Sequence, residues 1–109
     1  MTFARACSVT DVASGSALAV DLDGTAVAVV HDGDDWYAVA DECSHAAIPL
    51  SEGEVEGCEI ECWLHGSRFD LRSGKPTGLP AITPIAVYPV KIDGDDVLVD
   101  VHHPLNTQA

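Results

Sequence analysis

The sequence predicts a small all-β domain of antiparallel strands. Short runs of β-branched and aromatic residues recur along the chain, turn signals separate them, and no segment has the periodicity of a long helix. The chain has 109 residues, of which 47% are hydrophobic, and this length is enough for one domain with a modest core but too short for two. We therefore expect a single domain over residues 1–109.

The strands are predicted from the runs of good β formers. Residues 26–30, 36–40 and 97–101 contain mostly valine, alanine and aromatic side chains, and weaker runs complete the set. The predicted strands are 2–8, 16–21, 25–31, 35–41, 58–62, 67–70, 85–92 and 96–101.

Asp-Gly pairs lie between neighbouring predicted strands at 23–24, 32–33 and 93–94, where this dipeptide favours tight hairpins. Two of them extend to Asp-Gly-Asp-Asp, at 32–35 and 93–96, a pattern that also occurs in calcium sites. Neither copy continues with a glutamate at the spacing that a calcium-binding loop requires. We interpret both as hairpin turns.

The charge is strongly negative, with 18 acidic and 5 basic residues and a formal net charge of −13. Such a surface repels nucleic-acid phosphates and anionic lipid headgroups. Two interpretations stay open: the acidity serves docking onto a basic protein surface, or it only keeps the protein in solution. Because no apolar run reaches the roughly 18 residues of a membrane span and no signal pattern opens the chain, we expect a cytoplasmic location.

Two glycine- and proline-rich segments, 42–57 and 63–84, are predicted loops, and long loops in a small β domain are usually functional. They hold or adjoin two motifs, Cys43-Ser44-His45 and Cys62-Trp63-Leu64-His65, with 16 residues between. In a secreted chain the four cysteines could form two disulfides. Metal binding is the better interpretation, because two of the cysteines lie close to histidines and no signal peptide is evident.

Thiolate and imidazole together select zinc, copper or an iron–sulfur cluster. A structural zinc site usually takes two cysteines from one loop and two histidines from another, whereas here each loop offers one of each. A cluster with two metal ions explains the mixed pairs better, since each loop can give its cysteine to one iron and its histidine to the other. A structural zinc module that acts as an interaction protein remains the alternative of another class.

The order and spacing of these pairs resembles the Rieske family, in which two histidines replace two cysteines on one iron of a [2Fe–2S] cluster. The resemblance continues through residues 62–70, Gly74-Lys75-Pro76 and Gly78-Leu79-Pro80-Ala81, and it covers roughly residues 35–101. It implies one cluster held by Cys43, His45, Cys62 and His65. It also implies the Rieske fold: an antiparallel β-sandwich base with a cluster-binding subdomain of two ligand loops inserted at about residues 42–84.

The resemblance also implies a set of residues around the cluster: Ile48, Leu64, Gly66, Ser67 and Pro80. High-potential members of the family carry one extra cysteine in each loop, and these form a disulfide; here Ile48 and Leu64 stand at those positions. Phe69 stands where such members have a tyrosine, so one hydrogen bond towards the cluster sulfurs is lost, and such bonds favour the reduced form. We expect a potential near the lower end of the Rieske range, about −150 mV.

Small proteins of this subtype resemble the ferredoxin components of bacterial aromatic-ring-hydroxylating dioxygenase systems. The resemblance implies an electron carrier between an NAD(P)H-dependent flavoprotein reductase and a terminal non-haem iron oxygenase. No nucleophile–base pair and no open metal position is evident, so we do not expect an enzyme. Alternatives are service to another redox pathway, such as iron–sulfur assembly, and the small subunit of a nitrite-reductase-like enzyme.

Cys58 alternates with Ile60 and Cys62 in the predicted strand 58–62, so the three should share one face. We expect Cys58 to be a buried thiol without a chemical role.

Overall fold

The computed structural model describes residues 3–41, 49–62, 68–77, 84–102 and 104–105. Ten strands lie in these ranges, together with single turns of 3-10 helix at Val9–Asp11 and Leu50–Glu52. The strands are β1 (Ala4–Ser8), β2 (Ser16–Leu22), β3 (Thr25–Asp32), β4 (Asp35–Ala40), β5 (Val55–Glu56), β6 (Glu59–Glu61), β7 (Arg68–Asp70), β8 (Val87–Tyr88), β9 (Val90–Asp93) and β10 (Asp96–Val99).

The strands pair into three antiparallel sheets. Sheet A has the order β1-β10-β9, sheet B the order β2-β3-β4-β8, and sheet C the order β5-β6-β7. The prediction of an all-β fold with antiparallel pairing is confirmed. Within the described ranges, no helix combines the length and the apolar character that crossing a bilayer requires.

Sheet B lies between the other two sheets, and strand β3 shows why. Successive side chains of a strand face opposite sides of its sheet, and Val27–Val30 are all fully buried. Val27 and Val29 belong to an apolar cluster that includes residues of sheet A, whereas Ala28 and Val30 belong to a second cluster that includes residues of sheet C. The molecule therefore has one core on each face of sheet B.

The Asp-Gly pairs form the predicted hairpins. Asp23 and Gly24 connect β2 and β3 with φ angles of 55° and 82°, the left-handed conformation that a two-residue hairpin turn of type I′ needs at both positions. The two Asp-Gly-Asp-Asp segments close the β3–β4 and β9–β10 hairpins, in which Asp32 pairs with Asp35 and Asp93 with Asp96. No group of three His, Cys, Asp or Glu residues in the described chain could hold a metal ion.

The single strand predicted at 85–92 is wrong, because Pro89 divides it. Strand β8 pairs with β4 in sheet B, and strand β9 pairs with β10 in sheet A. Proline has no amide hydrogen to donate to a ladder, and its fixed φ favours a bend. The chain therefore passes from the middle sheet to the outer sheet at this residue.

The placement of Cys58 in a strand is also wrong. Strand β6 begins at Glu59, and Gly57 and Cys58 form the two-residue turn of the β5–β6 hairpin, with φ angles of 58° and 64°. A non-glycine residue in this conformation carries strain. Two contacts hold Cys58 there: its amide donates to Asp32 Oδ2 at 2.8 Å, and its half-buried thiol donates to the Tyr37 hydroxyl at 3.3 Å.

Candidate metal centre

Cys62 is the one predicted ligand within the described residues; Cys43, His45 and His65 lie outside them. It follows directly after β6 and is fully buried, in the apolar cluster that also contains Ile60. Cys62 is a free thiol, as are Cys7 and Cys58, so no disulfide joins these three. The structure thus keeps the Cys62 sulfur unpaired and shielded from water.

The second ligand loop, 62–67, is the connection between two paired strands. In the β6–β7 ladder Glu61 lies opposite Arg68, and Ile60 lies opposite Phe69. Both ends of the loop are therefore held side by side by backbone hydrogen bonds. This arrangement places Cys62, at the start of the loop, next to the strand that follows it.

Arg68 adds an ion pair at the base of this loop. Its guanidinium nitrogens lie 3.2 Å from Glu61 Oε2 and 3.6 Å from Glu59 Oε1. The Arg68 side chain is 33% exposed, so solvent screens these pairs and each is worth at most about 1 kcal/mol. Their main effect is to cancel charge locally, where two glutamates and the loop carrying Cys62 and His65 come together.

The first ligand loop is closed by the side chain of Asp41, which follows β4. Asp41 Oδ1 accepts a hydrogen bond from the Ser51 amide at 2.7 Å, and Asp41 Oδ2 accepts one from the Ser51 hydroxyl at 2.8 Å. The Asp41 amide itself donates to the carbonyl oxygen of Ala26 in β3 at 3.0 Å. Residues 41 and 51 are thus neighbours in space, and the segment between them carries Cys43 and His45.

The bases of the two loops are joined at Gly53. A Cβ atom at this position would overlap the carbonyl oxygen of Glu61, so the backbones come closer here than any side chain would allow. Beside this contact the Glu61 amide donates to the carbonyl oxygen of Glu54 at 2.8 Å. The exit of the first loop therefore lies against the residue that immediately precedes Cys62.

A third connection joins β7 to β8 and includes Pro80, which is predicted to lie near the cluster. It begins beside Arg68, at the end of the second ligand loop. The Thr77 amide donates to the carbonyl oxygen of Arg68 at 2.7 Å, and Pro76 forms an isolated bridge with Phe69. The Ile85 amide donates to the carbonyl oxygen of Gly74 at 2.9 Å on the return of the chain. Thr77 and Ile85, the hydrogen-bonded residues on either side of the segment 78–83, thus both lie close to strand β7 or the turn that follows it.

The residues that were predicted to surround the cluster lie outside the described part of the chain: Ile48, Leu64, Gly66, Ser67 and Pro80. Phe69, which replaces a tyrosine of the high-potential members, is described and fully buried. It packs in the same apolar cluster as Leu50 and Cys62.

The donor set fits a Rieske-type [2Fe–2S] cluster. Two thiols and two imidazoles come from two loops, and the described bases of these loops meet where β6, the central strand of sheet C, ends at Glu61. Apart from the undescribed loop residues, the chain offers no group of three His, Cys, Asp or Glu side chains for a metal. The chemistry of the loops matches two irons, one bound by sulfur and the other by nitrogen.

Comparison with known proteins decides the family. The family model described as the Rieske [2Fe-2S] domain matches residues 2–89. This chain belongs to that family. The match confirms the resemblance and the Rieske fold predicted from the sequence, and it establishes one Rieske-type [2Fe–2S] cluster as the cofactor.

Similarity extends along nearly the whole chain. The biphenyl dioxygenase ferredoxin subunit of Pseudomonas sp. (strain KKS102) is 44% identical over 101 residues, which are 92% of this chain and 93% of that protein. The ferredoxin of carbazole 1,9a-dioxygenase from Nocardioides aromaticivorans IC177 has a TM-score of 0.86 at 42% identity and covers 91% of this chain and 97% of its own.

A further solved structure is a complex of reduced oxygenase and oxidized ferredoxin in carbazole 1,9a-dioxygenase. The matching chain has a TM-score of 0.83 at 34% identity and covers 89% of this Rieske protein and 91% of its own length.

Sequence reasoning missed three features at the base of the site. Asp41 and Ser51 carry no signal of their own, because a side-chain contact across ten positions follows no strand or helix period. Gly53 was assigned to a loop, although its place is set by the close approach of Glu61. The opposite charges of Glu61 and Arg68 on either side of the motif were a readable signal for the closing ion pair.

Proposed function

We propose that this Rieske protein is the ferredoxin component of a bacterial ring-hydroxylating dioxygenase system. It works in the cytoplasm, takes single electrons from an NAD(P)H-dependent flavoprotein reductase and passes them to a terminal non-haem iron oxygenase. The observation that carries this proposal is the similarity, over more than nine-tenths of the chain, to ferredoxin subunits of such systems. The chain transfers electrons and is not itself an enzyme.

Cys43 and Cys62 supply the two thiolates of the site, and His45 and His65 supply the two imidazoles. The bound cluster contributes the uptake and release of one electron. The protein contributes the closed bases of the two loops and the apolar cluster around Cys62, which keeps water from its sulfur. Residues 1–109 form one domain, with residues of about 42–84 as the cluster-binding part.

The negative surface supports docking onto a basic partner. Near the ligand loops, sheet C and the segment before it carry exposed carboxylates at Glu52, Glu54 and Glu56, and partly exposed ones at Glu59 and Glu61. A partner with a basic patch would meet these charges close to the cluster and gain association rate from them. This favours docking over solubility alone as the role of the charge.

The proposal is tested with anaerobically reconstituted protein. We expect iron and acid-labile sulfide in a ratio of one to one, and a paramagnetic signal on reduction by NADH with a flavoprotein reductase. Replacing Cys62 by Ser, or both His45 and His65 by Ala, should abolish the native signal. Cys7→Ser, a change in the other core, is the matched control and should keep it.

An intact cluster spectrum in the double histidine variant would contradict the ligand assignment. Electron delivery tests the remaining alternative, in which the protein serves another redox pathway. If the proposal is correct, the reduced protein supports product formation by a ring-hydroxylating oxygenase. The zinc module is not favoured, because the Rieske [2Fe-2S] domain model matches this chain. The small subunit of a nitrite-reductase-like enzyme is not favoured, because the relatives at 44% and 39% identity are ferredoxin components of biphenyl dioxygenases.

A further inference from the structure

We propose that Asp41 is a positioning residue for the cluster. Its carboxylate accepts hydrogen bonds from both the amide and the hydroxyl of Ser51, and thereby holds together the two ends of the loop that carries Cys43 and His45. We call this pair of hydrogen bonds the Asp41–Ser51 clasp. The inference rests on the proposed function, since it takes Cys43 and His45 as ligands, and it adds a residue that determines how precisely they are held.

The geometry of the clasp is well suited to this role. Both oxygens of one carboxylate are used, at 2.7 Å and 2.8 Å, by two donors of one residue, which fixes the orientation of Ser51 as well as its distance. Asp41 is held to the middle sheet by the hydrogen bond that its backbone amide donates to the carbonyl oxygen of Ala26. A ligand loop that leaves the sheet at Asp41 is therefore anchored to a rigid element at one end and to the clasp at the other.

The two ligand loops are closed in different ways, and this gives Asp41 its importance. Backbone ladder bonds between β6 and β7 hold the ends of the second loop, and these do not depend on side-chain identity. The described hydrogen bonds between Asp41 and Ser51 both use the Asp41 side chain. A substitution at position 41 can therefore break the contact between Asp41 and Ser51 without disturbing a sheet, whereas the described ladder bonds that close the second loop run between backbones.

The charge and the geometry of Asp41 can be separated by mutation. An asparagine at this position can still accept from the Ser51 amide, and its own amide can donate to the hydroxyl oxygen, because a serine hydroxyl also accepts. Asp41→Asn thus keeps two hydrogen bonds and removes the charge. Asp41→Ala removes both bonds, and Ser51→Ala removes one bond and keeps the charge.

The experiment compares holoprotein variants by the g values of the reduced cluster, the iron content and the rate of cluster loss to a chelator. We expect Asp41→Ala and Ser51→Ala to shift the g values and to lose the cluster about 10-fold faster, because loss of the hydrogen bonds that support metal ligands lowers metal affinity by about 10-fold or more. Asp41→Asn and Ser51→Thr, which keep the paired donors and acceptors, should restore the wild-type g values and a loss rate within about twofold of wild type.

Matched controls exist away from the clasp. Asp11 Oδ2 accepts from the Ser8 amide at 2.9 Å beside sheet A, and Ser14 Oγ accepts from the Gly33 amide at 3.0 Å at the opposite end of sheet B. Asp11→Ala and Ser14→Ala remove comparable side chain-to-backbone bonds. Both should leave the g values and the rate of cluster loss unchanged.

Each other outcome overturns either the clasp or the proposed function. Wild-type g values and loss rates in Asp41→Ala and Ser51→Ala would overturn the clasp and leave the proposed function intact. An effect of Asp41→Asn as large as that of Asp41→Ala would also overturn it, because the charge rather than the hydrogen bonds would then be responsible. Wild-type protein that binds no iron and sulfide would overturn the proposed function itself.

Discussion

The reduction potential of the site depends on single residues around it, and on the polar groups that these residues lack. Phe69 is fully buried in the core between sheets B and C, at the position where high-potential members of the family have a tyrosine. Its ring shields the site from water but provides no hydroxyl. The low potential expected for this protein therefore depends in part on one missing oxygen atom.

Phe69→Tyr should raise the midpoint potential. A new hydrogen bond to the site that favours the reduced form by about 1.5 kcal/mol corresponds to roughly 60 mV for one electron. Redox titration of the wild-type and variant proteins measures the shift. Phe3→Tyr, at the other phenylalanine of the chain, is the control and should leave the potential unchanged; equal potentials for all three proteins would contradict the assignment of Phe69.

Tyr88 governs a pH effect on stability at the residue scale. Burial raises the pKa of Tyr88 above its ordinary value of 10.0, so the unfolded chain releases the phenol proton at a lower pH than the folded protein. This contribution to stability is fully present below the unfolded pKa and is lost as the pH rises through the folded pKa. The free energy of unfolding should therefore fall above about pH 10.

Tyr88→Phe should make that fall less steep. Urea unfolding at several pH values between neutral and strongly alkaline measures both proteins, and Tyr37, present in each, provides an internal reference. Parallel curves for wild type and variant would show that Tyr88 ionises alike in both states.

Among the elements, the β5–β6 hairpin determines where the second ligand loop begins. Its two-residue turn puts Gly57 and Cys58 in the left-handed conformation, and its first strand follows the residue at which the two loop bases touch. Gly53 makes that contact possible, because its missing side chain leaves room for the carbonyl oxygen of Glu61. The hairpin therefore joins the two ligand loops and does more than extend a sheet.

Gly53→Ala should reduce cluster content more than it reduces the stability of the sheets. The added Cβ forces the exit of the first loop away from Glu61 and hence from Cys62. Iron content per protein and thermal unfolding measure the two effects. The control is Gly94→Ala, where the surroundings are open and only the φ of 63° resists a side chain; it should cost about 1–2 kcal/mol of stability and keep the cluster.

Equal iron content in the two glycine variants would contradict a specific role for Gly53. Loss of the cluster in Gly53→Ala alone would support that role. Gly94→Ala also strains the backbone, but in the β9–β10 hairpin of sheet A rather than at the ligand loops.

At the scale of the whole molecule, charge dominates. The formal net charge is −13, because 18 acidic residues stand against 5 lysines and arginines. Ion pairs such as those of Arg5 and Arg68 therefore offset only a small part of the negative charge. Such a surface attracts a basic partner over distances comparable to the Debye length, about 10 Å at 0.1 M salt. Electrostatic steering should then accelerate association with the reductase and oxygenase.

The rate of electron delivery should fall by about tenfold between low and physiological ionic strength. Neutralising Glu54 and Glu56 to Gln, beside the ligand loops, should lower the low-salt rate and flatten its salt dependence. Asp93→Asn with Asp95→Asn removes the same charge from the β9–β10 hairpin and should change the rate less. Stopped-flow kinetics with a fixed partner makes the comparison, and identical effects of the two pairs would argue against docking at sheet C.

The fold was predictable wherever a local signal coincided with the tertiary structure. Strand β3 lies in a run of valine and alanine that is buried on both faces, and the Asp-Gly turns required only their own backbone conformations. The division at Pro89 depended on which sheet accepts each half, and the Asp41–Ser51 clasp on two chain ends that meet only after folding. The four proposed ligands follow from chemistry rather than packing, since a Rieske cluster restricts the residue types that can bind it, and their assignment stays a prediction.

The burial of β3 on both faces has a consequence for protein engineering. Ala28 and Val30 on this strand, together with Val39 on β4, complete the apolar cluster that contains Cys62. Transplanting residues 42–84 alone into an unrelated scaffold would remove the β3 and β4 side chains from this apolar cluster. A portable electron-transfer module should therefore be cut to include the β3–β4 hairpin, so that the graft carries its own support.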